Sequence, residues 1–383
     1  THFYVETGVT PDGVLKARYL AIDTPESTGK IEEYGKKASD FTKSKLKSAV
    51  SIMLESDNGT WNLDSTGSRY LVWIWYKPSE DADYRNLNLE ILQNGLCKKK
   101  STLDTRYGEV CVNAIDQAIR QKLNMYSGKK DPDFYYGEAI NLTMRELRLN
   151  LETYNLKKVA VDGLVTGISK NGCFIQDYDP ETDKTYGMYV YFASAKGDTL
   201  DILLPGNYIH FVGTLQMFSG QYQISDLVNK GLFDDGTAEV THLISSDNEI
   251  DFPLIEPEKY LGKDTIQMEV PDENDPEKTV IKSFEYDFRS LYLNTTIKME
   301  NLKVTRVSQS TNMEMTLTCT ANGQTVYIRT VALQYNDDTY VESDYFENKT
   351  IDVCGVVNLY QFNEESKLQY QIQLLTLSDV TIK

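Results

Sequence analysis

Short runs of alternating or β-branched character recur along the whole chain, and they constrain its fold more than any other feature. VLKARYLAI at 14–22, RYLVWIWY at 69–76, YIHFVGTLQMF at 208–218 and TIDVCGVVNLY at 350–360 are examples. Such runs read as strands, because successive side chains of a strand point to opposite faces. Helical spacing is confined to a few places. Within the first 127 residues it occurs at 34–50 (Ala38, Phe41, Leu46, Ala49), at 87–94 (Leu89, Leu92, then Gly95 as a stop) and at 109–123 (Cys111, Ile115, Ala118, Ile119). These are the intervals at which a helix returns to one face. Residues from 131 open on turn formers and then set Ile140, Met144, Leu147 and Leu151 at helical intervals, which predicts a connecting helix within 129–155.

A chain of 383 residues is long enough for two or three domains, each with its own core. The stretch 233–288 is rich in Asp, Glu and Pro, with PDENDPEK at 271–278, and reads as an acidic linker with loops. The segments on either side of it look like copies of one unit. VGTLQMFSGQYQISDL at 212–227 and CGVVNLYQFNEESKLQYQIQLLTLSDV at 354–380 are each a strand, a turn and a Tyr-Gln-Ile strand, the second with a longer turn. Five short strands per unit predict small Greek-key barrels of the OB type at 156–232 and 289–383. The fold class expected is therefore mainly β with some α.

Charge is divided unevenly. The formal net charge is −18, yet residues 1–130 carry 19 Lys and Arg against 17 Asp and Glu, leaving 20 against 40 beyond them. Cationic surface attracts a polyanion and acidic surface repels it, so the front third is where nucleic acid would be handled. The five cysteines (Cys97, Cys111, Cys173, Cys319, Cys354) lack C-x-x-C spacing, which argues against structural zinc and a disulfide framework. They read as buried thiols, with a Cys97–Cys111 bridge left open. Histidine is nearly absent (His2, His210, His242), which argues against histidine-based cleavage chemistry. No apolar run is long enough for a membrane-spanning helix, and a chain beginning with Thr1 is expected to be a fragment with residues upstream.

The most informative string is RYLAIDTPE, Arg18 to Glu26, in which a strand ends in Asp-Thr-Pro and delivers a second carboxylate three residues after the first. EYGKKASDFTK (33–43), NLNLEILQNGL (86–96) and RQKLNMYS (120–127) follow in order. Together these four blocks resemble the thermonuclease domain of the staphylococcal nuclease family over residues 1–128. The resemblance implies an OB-like five-stranded barrel with three helices, and calcium-dependent hydrolysis of DNA or RNA. It also implies secretion or attachment to a bacterial cell envelope. The two later modules resemble those attached to bacterial secreted nucleases.

On that resemblance Arg18 clamps the phosphate, Glu26 is the general base for the attacking water, and Arg69 stabilises charge on five-coordinate phosphorus. Asp23 and the main-chain carbonyl of Thr24 are calcium ligands. The residue types suit the chemistry: a hard cation takes oxygen ligands, and a guanidinium offers two parallel donors to a phosphate where a lysine does not. Spacing alone does not make the site. Arg18 and Asp23, five apart, would face opposite sides of a regular strand, so the chain must bend. Each residue also has an ordinary explanation, as a rim ion pair (Arg18), a turn former (Asp23), a first-turn helix acid (Glu26) or an exposed strand residue (Arg69).

Three departures from the family pattern stand out. The family's first strand carries Asp-Gly-Asp-Thr, and Thr1 matches its threonine, so a further metal acid is expected upstream of the chain. DSTGSR at 64–69 is one residue longer than the family's approach to the second arginine, with Ser68 as the insertion. CKKKSTLDTRY at 97–107 lacks the family's paired stacking tyrosines. Lys98, Lys99, Lys100 and Arg106 offer phosphate contacts there, with Tyr107 as a substitute for stacking, although a lysine triplet is also what a solvated helix end looks like. In the first later module Phe174, Tyr178, Tyr186, Tyr189 and Tyr191 could stack on single strands. The acidic balance instead favours a structural, protein-binding or envelope role. A non-catalytic scaffold keeping the nuclease fold is the alternative to an enzyme.

Overall fold

The computed structural model describes residues 1–5, 10, 13–98, 104–193, 198–229, 239–272, 278–361 and 367–383. The protein is mainly β and falls into two compact units, Thr1–Tyr136 and Gly137–Lys383. Among the described residues no helix is long and apolar enough to cross a membrane.

The first unit is built from strands β1 (His2–Tyr4), β2 (Val14–Tyr19), β3 (Ser51–Glu55), β4 (Tyr70–Lys77) and β5 (Arg85–Asn86), with helices α1 (Gly35–Lys47), α2 (Leu87–Gln93) and α3 (Gly108–Arg120). The helices fall where the apolar spacing predicts them. Strand order is β1-β2-β4-β3, with β5 also on β4. β4 is the centre of this OB-like sheet, and Val72, Trp73, Ile74 and Tyr76 are all buried. Against them pack Ala38 of α1, Ile91 and Leu92 of α2, and Cys111 and Ile115 of α3. Burying a side chain of this size stabilises by about 1.5–3 kcal/mol, so this layer is the main source of the unit's stability. One register matters for the site. β2 runs parallel to β4 with Ala17 opposite Tyr70 and Arg18 opposite Leu71, which brings Arg69, just ahead of β4, beside the strand that carries Arg18.

The second unit holds two barrels. It begins with β6 (Ile140–Asn141), α4 (Met144–Leu149) and α5 (Leu151–Tyr154). The connecting helix expected here is two short helices, because Thr143 and Glu146 form a capping box that starts α4 at Met144, and Asn150, at φ −130°, breaks the run. The first barrel comprises β7 (Lys158–Ser169), β8 (Gly172–Asp179), β9 (Lys184–Tyr191), α6 (Asp198–Ile202), β10 (Tyr208–Phe218) and β11 (Gln221–Ser225), with β12 (His242–Ser245) added to β10. Its strands follow the order β7-β8-β9-β11-β10, and β10 pairs back onto β7 to close the ring.

After α7 (Pro257–Tyr260) the chain forms a hairpin of β13 (Lys263–Pro271) and β14 (Thr279–Asp287), then α8 (Phe288–Leu291). This hairpin corrects the reading of 233–288 as linker. Composition masked an alternation in which Ile266 and Met268 turn inward onto the first barrel's core, with Asp264 on the same face paired to Lys184 and the Tyr292 hydroxyl, while Glu269 stays outside. The second barrel repeats the first, with β15 (Thr296–Gln309), β16 (Met315–Ala321), β17 (Gln324–Thr330), β18 (Thr350–Tyr360) and β19 (Gln369–Leu374) in the order β15-β16-β17-β19-β18 and β15 closing on β18. β20 (Val380–Ile382) pairs with β18. In both barrels the third and fifth strands are parallel, the mark of the same OB-type Greek key.

The barrels pack as one body. Gln176 Oε1 accepts from the Thr296 amide at 2.8 Å and its hydroxyl at 3.0 Å, and Gly187 lies so close to Asn294 that a Cβ would come within 2.6 Å of its backbone. Arg148 of α4 is buried without a carboxylate among the described residues, and its Nη2 donates to the Ser290 carbonyl at 2.7 Å. Burial lowers its pKa to about 10, which still leaves it cationic at neutral pH. Arg148→Ala is expected to destabilise this unit by about 2–4 kcal/mol, since it orphans a buried carbonyl and leaves a cavity. Arg148→Met, which keeps the stem, is expected to cost less. Urea midpoints that do not move for either variant would show that the brace contributes nothing.

The aromatics that offered stacking on single strands mostly serve packing. Phe174 and Tyr186 are core residues, Tyr189 bonds Ser169 at 2.9 Å, and Tyr178, though exposed, donates to Asp183 at 2.8 Å. All five cysteines are free, and four of them are buried.

Candidate active site

β2 ends at Tyr19, and the chain turns at Leu20 and Ala21, the latter in the left-handed region at φ 62°. Hydrogen bonds hold the turn in place. The Leu20 amide donates to Val72 O at 3.0 Å, and buried Asn88 donates its side-chain amide to Leu20 O at 2.9 Å. This is the bend that the spacing demanded, and it returns Asp23 to Arg18, whose Nη2 lies 3.2 Å from Asp23 Oδ1. An L-residue in this conformation costs roughly 1–2 kcal/mol. Ala21→Gly is therefore expected to raise stability by up to about 1 kcal/mol after glycine's greater freedom in the unfolded chain is counted. A lower melting temperature would show that the methyl group's packing outweighs the strain.

Beyond the turn, Glu26 is fixed through its backbone. Its amide donates to Glu32 Oε2 at 3.1 Å, and the Glu32 amide returns a bond to Glu26 O at 2.9 Å. The first of these bonds is the main reason the Glu32 carboxyl is held below its ordinary range. Helix α1 then abuts the same peptide. A Cβ on Gly35 would lie 2.1 Å from Glu26 O, so only glycine allows this approach. Tyr34, at φ 63°, enters the helix with its amide bonded to buried Asp131 at 2.6 Å. The Glu26 side chain makes no bond to any described residue and is exposed.

Arg69 is held by Asp64, with Nη2 at 2.6 Å and Nε at 2.7 Å from Oδ2. Thr66 Oγ1 also donates to Asp64 at 2.6 Å, and this bond, with those from Arg69 and Ser68, lowers the carboxyl to about 2. The loop with the extra Ser68 thus folds around one carboxylate and still delivers Arg69.

A cavity of about 360 Å³ gathers these parts. Arg18, Thr24, Glu26 and Arg69 line it, as do Ser39, Thr42 and Lys43, which α1 presents at helical intervals from Gly35. Three cations face one acid, an arrangement that favours an anion. Asp23 stands outside the lining and meets the site through Arg18. As to calcium, no group of three or more His, Cys, Asp or Glu among the described residues is placed to hold a metal ion. Asp23 and the Thr24 carbonyl by themselves fall short of the six to eight oxygens a calcium ion takes.

The basic run after Gly95 is arranged differently from its sequence reading. Lys98 Nζ lies 3.3 Å from Glu32, neutralising the acid behind Glu26 rather than lining the cavity. Lys99 and Lys100 lie outside the described residues. Arg106 and Tyr107 are not in the cavity either. Glu55 takes both, at 2.6 Å from Arg106 and 3.0 Å from the Tyr107 hydroxyl, and the Tyr107 ring stands edge-on to Trp73 and Trp75. Glu55 and Trp73 are some fifty and thirty residues upstream, so no local pattern announced the capture. Gly35, Asp64 and Lys43 were missed as functional. Gly35 was legible as a glycine opening a helix, and Lys43 as the position one turn beyond Ser39 on the same face.

An OB-like barrel with a cationic cavity at the end of a strand is suited to holding an anion. Residues 16–128 match the family described as staphylococcal nuclease homologue, and this part of the chain is a staphylococcal nuclease-like domain. No curated protein matches the chain. Among solved structures, a putative aspartyl-tRNA synthetase from Leishmania major Friedlin is 9% identical over 36% of this chain and 22% of its own length, with a TM-score of 0.20.

Proposed function

We propose that the first unit is a nuclease that hydrolyses phosphodiester bonds of DNA or RNA by in-line attack of water. The observation that carries this reading is the gathering of Arg18 and Glu26, from the two ends of one string, with Arg69, from a distant one, on one cavity. Cleavage of a phosphodiester is limited by charge, since an anion must be approached by a nucleophile and more charge develops on the oxygens. Arg18 and Arg69 flank the phosphate, bind its oxygens through paired N–H donors and stabilise that charge. The Glu26 carboxylate, which has no partner among the described residues, accepts the proton of the attacking water. Asp23 and Asp64 are positioning residues that set the two guanidinium groups.

Calcium dependence is part of the proposal, with Asp23 and the Thr24 carbonyl as the contributions of this chain. So is an extracellular or cell-envelope location. The acidic barrels serve a structural or protein-binding role in this reading, since their aromatics are used in packing. A non-catalytic scaffold is the second reading, favoured by the incomplete ligand set around Asp23. The two are separated by incubating the full chain with fluorogenic DNA and RNA oligonucleotides in calcium and in chelator. Cleavage in calcium that stops in chelator supports the enzyme, and intact oligonucleotide in both favours the scaffold.

A further inference from the structure

The wall of the cavity built by α1 carries a cation that no carboxylate among the described residues engages. Arg18 is tied to Asp23 and Arg69 to Asp64. On the same helix Lys36 pairs with Asp40 at 2.6 Å and Lys45 with Glu90 at 3.3 Å. Lys43 lines the cavity, is exposed, and has no acidic partner among the described residues. In a chain with 57 acids against 39 bases, an ammonium left unpaired beside a site for anions is placed for a ligand.

Its distance from the reacting centre defines that ligand. Gly35 fixes the start of α1 on the Glu26 peptide, and Lys43 lies eight residues further, about 12 Å along the axis at 1.5 Å per residue. With its backbone set back along the wall by that much, Lys43 can reach the next phosphate of a strand whose cleaved phosphate is held between Arg18 and Arg69 near Glu26. An ammonium with three rotatable donors suits such a contact, which needs charge but no base recognition.

We propose that Lys43 binds a second phosphate of the substrate, adjacent to the one cleaved, so that the site takes polynucleotide strands in preference to isolated phosphodiesters. This rests on the nuclease reading of the same cavity.

The test compares the full chain with its Lys43→Ala and Lys43→Arg variants in two assays. The first follows cleavage of a single-stranded DNA oligonucleotide and of bis(4-nitrophenyl) phosphate, which has one phosphate. The second measures binding of the fluorescein-labelled oligonucleotide by anisotropy in chelator. Lys43→Ala is expected to raise KM for the oligonucleotide about 3- to 10-fold with a smaller change in kcat, to reduce the salt dependence of binding by about 0.7 in log–log slope, and to be rescued by arginine. The penalty on the one-phosphate diester is expected to be at least threefold smaller. Equal penalties on both substrates, or unchanged oligonucleotide binding, overturn the assignment. Should wild type bind the oligonucleotide without cleaving it and Lys43→Ala weaken that binding, the Lys43 contact stands and the nuclease reading falls. Wild type that does not bind the oligonucleotide overturns both.

Discussion

Glu26→Gln is expected to slow phosphodiester cleavage by a factor of about 10²–10⁴, the usual contribution of a positioned general base. The substitution keeps shape and removes only basicity. Because the carboxylate has no partner among the described residues, and Glu26 is placed through its backbone bonds with Glu32, folding should be unaffected and the melting temperature unchanged. Binding of an oligonucleotide should persist or tighten slightly, since one negative charge leaves a cavity lined by Arg18, Arg69 and Lys43. Single-turnover cleavage with anisotropy on the same samples measures both. A variant that cleaves at the wild-type rate would remove Glu26 from the chemistry.

Gly35→Ala is expected to lower kcat about 100-fold, the scale of loss for a misplacement of roughly 1 Å at a reacting centre. The added methyl group would lie 2.1 Å from Glu26 O, so either α1 or the peptide of Glu26 has to move. Overpacking of this kind costs roughly 1–3 kcal/mol. Part of that is returned because alanine favours the helix over glycine by about 1 kcal/mol. The variant should thus fold, with a modestly lower melting temperature, and bind oligonucleotide while cleaving it poorly. Wild-type kcat together with a lowered melting temperature would show that the loop from 26 to 32 absorbs the strain without moving the Glu26 carboxylate.

Much of the first unit was legible in the sequence because its elements have clean periods. The three helices at Gly35–Lys47, Leu87–Gln93 and Gly108–Arg120 follow apolar residues spaced for one face, and β4 reads as a buried strand from RYLVWIWY alone. The gathering of Arg18 with Asp23 was not legible from spacing, which put them on opposite faces. It depends on a left-handed turn at Ala21, a residue type that gives no hint of that conformation, and only the family resemblance supplied the bend. Arg106 and Tyr107 show the opposite failure. Their place in a basic run pointed to substrate, but a carboxylate and two indoles from distant strands claim them, and pairings of that kind leave no local trace. In the second unit, acidic composition hid the period-two pattern around Ile266 and Met268, because charges on the solvent face of a strand dominate a count that ignores which face they occupy.

The claim on which the account turns is that Arg18 and Arg69 act on one phosphate. A double-mutant cycle in single-turnover cleavage, with Arg18→Gln, Arg69→Gln and the pair, tests it most directly. Groups that act as a unit are non-additive, so the account predicts a large loss for each single variant and a double variant little worse than the poorer single one. Losses that multiply in the double variant, or a single variant that cleaves as wild type does, would contradict it.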